Sequence, residues 1–339
     1  MKKVLAVLLV VMLLGMTVST TVAQDDLGTP ENPIQVYFVP SVEAQVLIDG
    51  GEVLAAALEE ATGLSFDVAI PTSYAATIEE MCAAPDVSMG FIPSAGYVIA
   101  SARCGVEVYA AAARDGRAFY TSAFITRRDS DIYVFGDLEG KTWGYGDAGS
   151  TSGYIVPSID LAGADITIGD TVETGGHMQT VLAVYNGEVD FGTVYYSPPR
   201  LSGAQWGLGD LPEPYDLALD EPYIGDDGNL YVGDIEIMDA RALARETVPD
   251  IIEQVRILRL TSPIPNDTMS FGSEFPDELK AQIFEALVAF SKTEAWEETA
   301  LGSDDGYSWD ALTRADDSLY DGVRLKFEIL GLTEEDIFE

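Results

Sequence analysis

The chain has 339 residues, 47% of them hydrophobic, which is enough for two domains or lobes with sizeable cores. Its 57 Asp and Glu residues against 18 Lys and Arg give a formal net charge of −39 at pH 7, which argues against nucleic acid and anionic membranes as partners. The single histidine argues against a metal site, and we expect neither a metal nor a cofactor.

The first 23 residues predict a secretory signal peptide. Lys2-Lys3 gives a positive start, Val4–Val18 is an almost unbroken apolar run, and Thr21-Val22-Ala23 offers small residues for cleavage before Gln24. The apolar run is short for a membrane span, no second one follows, and no cysteine near the cut offers a lipid anchor. We therefore expect a soluble mature protein outside the cytoplasm, either secreted or periplasmic.

Strands and helices alternate in the first part of the mature chain. The pattern predicts a strand at 34–39, a helix at 46–62, a strand at 65–70, a helix at 73–83, a strand at 87–91, a helix at 95–104 and a strand at 106–112. Such alternation favours a mostly parallel sheet with helices on both faces.

The two cysteines, Cys82 and Cys104, lie near the ends of two of these predicted helices. An even cysteine count in an oxidising compartment indicates one disulfide. Two free buried thiols are the alternative.

A second alternation follows a long strand-like run at 119–127. The pattern predicts a strand at 142–145, a helix at 151–161, a strand end at 171–174, a helix at 178–186, a strand at 191–195, a strand-like run at 251–260 and an amphipathic helix at 276–292. Residues 203–234 are rich in Asp, Gly and Pro and indicate an acidic loop or insertion, and the tail holds one or two short helices.

These patterns predict an α/β fold with two lobes. The chain leaves the first lobe near 119–127 and returns near 261–271, and two such crossings make a hinge with a ligand cleft between the lobes. We assign 30–122 and 273–339 to lobe one. Residues 123–272 form lobe two, with the acidic segment at about 203–236.

The segment Asp147-Ala148-Gly149-Ser150-Thr151-Ser152-Gly153-Tyr154 indicates a pocket for a small tetrahedral anion. It follows a strand and opens a helix, whose first backbone N–H groups lack internal partners and whose dipole end is positive. Ser150, Thr151 and Ser152 add hydroxyl donors, so no Lys or Arg is needed, and the lysine of a Walker loop is absent. Because the net charge repels anions, binding must come from such short-range donors. A Ser/Thr cap on an ordinary helix is the alternative.

Four stretches together resemble one protein family. They are, in chain order, 91–98, 147–154, 176–177 with 183–190, and 261–267. Their order and content resemble the phosphonate/phosphite/phosphate substrate-binding proteins of ABC importers, a branch of the two-lobed periplasmic binding proteins. The resemblance implies the type II two-lobed fold with two hinge crossings, a small phosphorus oxyanion as ligand, an importer permease as partner and a monomeric state.

The resemblance also implies roles for residues of the second lobe. Ser150–Ser152 bind the oxyanion, and the ring of His177 donates a hydrogen bond to it. The ring would donate best in its protonated form. A lone histidine that caps a helix or lies on the surface is the alternative. Gly176 and Met178 flank this histidine where the family commonly has Ser and an acid, a departure that bears on selectivity.

Other residues are assigned to the ligand by the same resemblance. Tyr74 and Tyr97 stand at predicted helix starts as phenol donors, with core packing as the alternative, and Ser94 adds a hydroxyl or an amide. Asp267 faces the rest of the ligand, where its carboxylate receives an amine, or a proton from a protonated oxyanion. The alternative is an aspartate that only stabilises a turn in its loop. Tyr195 lines the substituent side of the cleft or is simply buried.

The function expected from this pattern is extracytoplasmic capture of a phosphonate, phosphite or phosphate for import, without catalysis. A ligand-sensing adaptor for a membrane receptor is one alternative. A secreted phosphorus-ester hydrolase is the other, against which stand the absence of metal-ligand spacing and of a G-x-S-x-G nucleophile elbow.

Overall fold

The computed structural model describes residues 26–330, apart from the side chains of residues 329 and 330. The predicted signal peptide lies outside the described residues. Between residues 26 and 330, the helices are all too short or too polar to cross a membrane.

Strands and helices alternate along most of the described chain. The strands are β1 (Ile34–Phe38), β2 (Phe66–Ala69), β3 (Ser88–Ile92), β4 (Glu107–Ala113), β5 (Phe119–Arg127), β6 (Trp143–Tyr145), β7 (Thr171–Glu173), β8 (Phe191–Tyr196), β9 (Pro222–Ile224), β10 (Leu230–Val232), β11 (Ile235–Glu236), β12 (Val255–Leu260), β13 (Ile264–Pro265), β14 (Thr268–Phe271) and β15 (Ala311–Arg314). The α-helices are α1 (Ala44–Thr62), α2 (Tyr74–Ala83), α3 (Ser94–Cys104), α4 (Val156–Gly163), α5 (His177–Asn186), α6 (Ile251–Gln254), α7 (Asp277–Phe290) and α8 (Asp321–Leu330). Shorter helical turns occur at Phe135–Leu138, Thr151–Ile155, Ala240–Ala244, Glu294–Glu298 and Asp317–Tyr320.

The first sheet forms the core of one lobe. Its strands lie in the order β15-β4-β14-β3-β1-β2, with β1 parallel to β2 and β3, and β14 antiparallel to β3 and β4. The predicted mostly parallel sheet is therefore mixed, because the returning chain enters it between β3 and β4 in the opposite direction. The buried ring of Phe91 lies 5.1 Å from that of Phe38 and 5.5 Å from that of Trp309, between ring centroids.

The second sheet forms the core of the other lobe. Its strands lie in the order β12-β5-β8-β6-β7, and the short β13 pairs with β5. Phe124 and Phe191 pack with Trp143 on one face, whereas α5 buries Val181 and Val184 against the other. β6 pairs parallel with β7 and β8, whereas β5 pairs antiparallel with β8 and β12.

The predicted acidic loop at 203–236 contains ordered structure. β9, β10 and β11 form a separate antiparallel sheet within it, and Trp206, Leu230 and Val232 are buried in the core of the second lobe. Two-residue and three-residue strands surrounded by Asp and Gly carry too weak a periodic pattern for the sequence to reveal them. The segment is therefore a small subdomain attached to the second lobe.

The two crossings between the lobes lie side by side. β13 pairs with Phe119 and Tyr120 at the start of β5, and the buried Asn266 side chain donates hydrogen bonds to the carbonyls of Ala112 (2.9 Å) and Arg117 (2.8 Å). Asn266 thereby fixes the return of the chain next to its departure. The following strand, β14, lies in the first sheet, although the sequence analysis places 268–271 in the second lobe.

The predicted strand at 251–260 is half correct. Its first four residues form the helical turn α6, and only Val255–Leu260 is a strand. Ile251 and Ile252 are both fully buried against the second lobe, so their apolar character reflects core packing. A short apolar run does not distinguish a buried helical turn from a strand.

The structure joins Cys82 and Cys104 in a disulfide, as the cysteine count indicates. The bond connects the last turns of α2 and α3, with 5.5 Å between the two Cα atoms. The two helices also pack on each other. The disulfide therefore fixes a helix pair in the first lobe.

Replacing both cysteines by alanine should lower the free energy of unfolding by about 3 kcal/mol, because the bridge closes a loop of 22 residues in the unfolded chain. Urea unfolding followed by circular dichroism measures the loss. The control is the original protein under reducing conditions, which should match the double variant. Equal stability of the oxidised protein and the double variant would contradict a stabilising role for the bridge.

Candidate functional site

A cavity lies between the two lobes, where the sequence analysis places the ligand cleft. Its walls carry mostly hydroxyl and aromatic side chains from both lobes and from the crossings. The lining residues include Tyr74, Arg114 and Tyr307 from the first lobe, Ser150, Ser152, His177 and Tyr195 from the second, and Tyr120 and Asp267 from the crossings.

The helix after the hydroxyl segment begins with a widened turn. Thr151–Ile155 is π-helical, with the amide of Ile155 donating to the carbonyl of Ser150 at 3.0 Å, and α4 follows from Val156. The sequence analysis expects one continuous helix over 151–161. The difference arises from Pro157, which has no N–H to continue the hydrogen-bond ladder.

The carbonyls that Pro157 leaves without an intrahelical donor are satisfied by neighbouring strands. The Ser122 hydroxyl on β5 donates to the carbonyl of Ser152 at 2.6 Å, and the Thr193 hydroxyl on β8 donates to the carbonyl of Gly153. All four residues are buried or nearly so. The widened turn is therefore locked to the sheet below it, and this fixes the position of the hydroxyl segment.

The three hydroxyl residues of this turn have different partners. Ser150 Oγ accepts a hydrogen bond from the amide of Gly153 at 3.0 Å, so the helix-cap alternative is correct for that oxygen, while its hydroxyl hydrogen remains a donor. Thr151 Oγ1 accepts from the amide of Ala95 at 3.0 Å, across the cleft. Ser152 lines the cavity directly.

Four helices begin at this cavity. α2 begins at Tyr74, α3 at Ser94, the widened turn at Thr151 and α5 at His177. Each helix start presents backbone N–H groups without intrahelical acceptors and the positive end of a dipole. Their convergence directs positive dipole ends towards the cavity, in a chain whose net charge is strongly negative. At one of them, the start of α2, the amide of Tyr74 donates to Asp147 Oδ2 at 3.3 Å.

His177 is buried and incompletely hydrogen-bonded. Its side chain is 5% exposed, its Nδ1 atom has no hydrogen-bond partner among the described residues, and its ring packs edge-on against Tyr195. Burial lowers the pKa of His177 to about 4. The expectation that this ring acts in its protonated form is therefore corrected for the protein as described, because at neutral pH the ring is neutral. The hydroxyl of Ser94 is likewise buried without a partner.

The cavity contains more tyrosines than the sequence analysis assigns. Tyr74 and Tyr195 line it as expected, and Tyr120 and Tyr307 do so as well. Burial raises the pKa of all four phenols, so each is neutral at pH 7, and the Tyr307 hydroxyl donates to the carbonyl of Val39 at 2.8 Å. Tyr120 was detectable as a member of the crossing strand, whereas the irregular segment around Tyr307 gives no sequence signal.

Tyr97 does not reach the cavity. Its hydroxyl donates to Asp317 Oδ1 at 2.6 Å, and its ring packs edge-on against Tyr320 at 4.9 Å. The structure therefore does not bring Tyr97 together with the other predicted site residues. The reason is that α3 presents this side chain to the C-terminal segment, which covers the helix and supplies a partner for the hydroxyl.

Asp267 lines the cavity, but it is paired with an arginine that the sequence analysis missed. Arg114 Nη2 lies 2.6 Å from Asp267 Oδ2, and the two side chains are 15% and 16% exposed. Arg114 directly follows β4, at the point where the chain leaves the first lobe. An ionisable residue at that edge of the sheet is the signal that could have found it.

A family model described as "ABC transporter, phosphonate, periplasmic substrate-binding protein" matches residues 36–320. The chain belongs to this family. The family consists of substrate-binding proteins of transporters, and its match spans both lobes and every residue of the cavity named above.

Two curated relatives cover shorter parts of the chain. The "Phosphate-import protein PhnD" of Mycolicibacterium smegmatis is 29% identical over 182 residues, which are 50% of this chain and 56% of that protein. The "Phosphonates-binding periplasmic protein" of Escherichia coli is 38% identical over 99 residues, 27% of this chain and 29% of that protein. The chain thus spans about half the length of the first relative and less than a third of the second.

Solved structures confirm the predicted two-lobed fold. A binding protein component of an ABC phosphonate transporter from Pseudomonas aeruginosa has a TM-score of 0.65 at 19% identity, over 87% of this chain and 85% of that chain. PhnD1 from Prochlorococcus marinus in complex with methylphosphonate also has a TM-score of 0.65, at 13% identity, over 88% and 98%. At these identities the likeness establishes the fold.

The predicted site residues fall into three groups. Those that line the cavity are Ser150, Ser152, His177, Tyr74, Tyr195 and Asp267. Two others, Thr151 and Ser94, are fully buried, and Thr151 bonds across the cleft to the residue that follows Ser94. Tyr97 lies elsewhere. The ligand contacts of the first two groups remain predictions.

Replacing Thr193 by valine should lower the free energy of unfolding by about 2 kcal/mol or more. The change leaves both the carbonyl of Gly153 and the indole N–H of Trp143 buried without their partner. Thr121→Val on β5 is the matched control, because the Thr121 hydroxyl is buried without a partner and its loss should cost little. Urea unfolding of both variants tests the anchor, and equal stabilities would show that the turn does not depend on it.

The stability of the protein should depend on pH through His177. Because the folded pKa of about 4 lies below the ordinary value of 6.5, its contribution is complete above pH 6.5 and is lost as the pH falls towards 4. Relative to a His177→Gln variant, the original protein should lose up to about 3 kcal/mol over that range. Urea unfolding in phosphate-free buffers measures the difference, and parallel pH profiles would contradict a buried neutral ring.

Proposed function

We propose that this protein captures a small phosphorus oxyanion, a phosphonate, phosphite or phosphate, between its two lobes and delivers it to an ABC-type importer. One observation carries the proposal. Four helix N-termini and a set of hydroxyls converge on one cavity, where His177 Nδ1 is buried without a hydrogen-bond partner among the described residues, as is Ser94 Oγ next to the lining residue Pro93. Buried polar atoms are normally hydrogen-bonded, so unpaired ones beside a cleft point to a ligand.

The size of the cavity supports a compact ligand. Its volume is about 60 Å³. A buried water needs roughly 10–15 Å³ of cavity volume measured in this way, so the cavity has room for about four to six waters. This fits a tetrahedral oxyanion with a substituent of one or a few atoms.

The available donors support tight binding. Each hydrogen bond to a charged group contributes about 1.5–3 kcal/mol net. Roughly six to eight of them, less several kcal/mol for association and for closure of the lobes, allow dissociation constants from micromolar to nanomolar. The neutral ring of His177 donates one of these bonds, or accepts one from an oxyanion that carries a proton.

The remaining expectations follow from this role. The protein binds its ligand without turnover, acts as a monomer, and functions outside the cytoplasm after removal of residues 1–23. Its protein partner is the permease of an importer.

The test is calorimetric titration of the purified protein with phosphate, phosphite, methylphosphonate and 2-aminoethylphosphonate, after unfolding and refolding to remove carried-over ligand. Tight binding of at least one of the four supports the proposal. Binding of none would remove it. Sustained release of inorganic phosphate from a phosphonate would instead favour a hydrolase.

Replacing Ser152 by alanine should weaken binding of the preferred oxyanion about tenfold or more, because a charge-assisted hydrogen bond is lost. The melting temperature should change little, since Ser152 caps no helix. Ser158→Ala is the control: this hydroxyl lies on α4, donates to the carbonyl of Tyr154 and does not line the cavity. Equal affinities for the two variants would place the oxyanion elsewhere.

A further inference from the structure

Arg114 is held in one orientation at the cavity wall. Besides its 2.6 Å contact with Asp267, its Nε donates to the carbonyl of Tyr307 at 2.8 Å. Its guanidinium carbon lies 5.6 Å from the centroid of the Tyr120 ring. A guanidinium with partners on several sides cannot swing away from Asp267 without losing them.

The partner carboxylate is equally fixed. Asp267 follows Asn266, whose fully buried side chain donates to the carbonyls of Ala112 and Arg117 on the departing crossing, and the carbonyl of Asp267 accepts from the amide of Ala112 at 2.9 Å. The pair is therefore built into the hinge and does not depend on a mobile surface loop.

Arg114 and Asp267 set the charge of the cavity. Of the described residues that line it, these two carry a formal charge at neutral pH, and the two charges cancel. The low pKa of His177 and the raised pKa values of the tyrosines keep those groups neutral. The wall thus contains no carboxylate that is free of a cationic partner.

We propose that Arg114 is a specificity-determining residue: it engages the carboxylate of Asp267, so that the cavity accepts a small oxyanion with an uncharged substituent and rejects one that carries an ammonium group. This inference rests on the proposed function and names the ligand class within it. The class comprises phosphite, phosphate and short alkylphosphonates, as opposed to aminoalkylphosphonates.

The discrimination is electrostatic. An ammonium group that leaves water needs a carboxylate to replace its hydration, and in this cavity that carboxylate already has a cationic partner. The ammonium would also meet the positive charge of Arg114 at close range. A methyl group meets no such cost, because Val39 and Phe91 offer apolar surface in the same cavity.

A purely structural role for Arg114 makes a different prediction. If Arg114 only stabilises the hinge, its replacement lowers the affinity for every ligand by the same factor. If it sets specificity, its removal frees Asp267 and changes the ratio of affinities. The ratio therefore separates the two roles, and a melting temperature alone does not.

The experiment compares dissociation constants for methylphosphonate and 2-aminoethylphosphonate by calorimetry. The original protein should bind methylphosphonate at least about tenfold more tightly. Arg114→Gln should shift the ratio about tenfold or more towards 2-aminoethylphosphonate, and adding Asp267→Asn should abolish that shift. Arg117→Gln is the control, because it removes the same charge from a neighbouring residue that pairs with Asp115 outside the cavity.

Two results would overturn the inference. One is an original protein that binds 2-aminoethylphosphonate as tightly as methylphosphonate. The other is an unchanged ratio in a folded Arg114→Gln variant, and in both cases the oxyanion-binding function itself stands. Failure of the original protein to bind any of these oxyanions would defeat the proposed function instead.

If Arg114→Gln does not fold, Asp267→Asn decides the question. It leaves the guanidinium unopposed, so it should tighten methylphosphonate binding several-fold while further weakening 2-aminoethylphosphonate. Weaker binding of both ligands by one factor would contradict the inference.

Discussion

The convergence of four helix N-termini is the constraint on which the rest of this structure depends. An anion approaches a chain with a formal net charge of −39, so attraction at long range is not available. Backbone amides at helix starts act only at contact distance, and salt screens the distant carboxylates over about 8–10 Å. The protein therefore needs closure: donors from both lobes have to reach the ligand together before their combined strength exceeds the cost of desolvation.

The sheet topology explains how one chain brings these helix starts together. α2 and α3 follow β2 and β3, and the widened turn and α5 follow β6 and β7. Each of these strands has a parallel neighbour, and in such sheets the carboxyl ends of the strands, with the helix starts that succeed them, lie along one edge. Two sheets whose edges face each other across a hinge place four positive dipole ends in one small volume.

The sequence predicted the two-lobed α/β fold and most element positions because periodicity and turn residues are local signals. The hydroxyl segment was recognisable as a candidate because three hydroxyl residues stand between glycines at a predicted helix start, whereas His177 was assigned through the resemblance to a family. Ser150, Ser152 and His177 line the cavity, and their contacts with a ligand remain predictions. Periodicity does not tell which neighbour covers a side chain, and this is why the sequence did not show that Tyr97 packs against the C-terminal segment. The pairing of Arg114 with Asp267 joins residues far apart in the chain, so only the folded hinge reveals it.

The disulfide joins α2 and α3 at the ends remote from the cavity, whereas their first residues, Tyr74 and Ser94, stand at it. A constraint at one end of a helix pair limits how far the other ends can splay. The first-lobe half of the site is thus ordered before any ligand binds. Binding then does not have to offset the loss of conformational entropy that ordering this half would cost. Oxidation of the two cysteines would then order the cavity wall as well as stabilise the fold, and reduced protein would have a less ordered site.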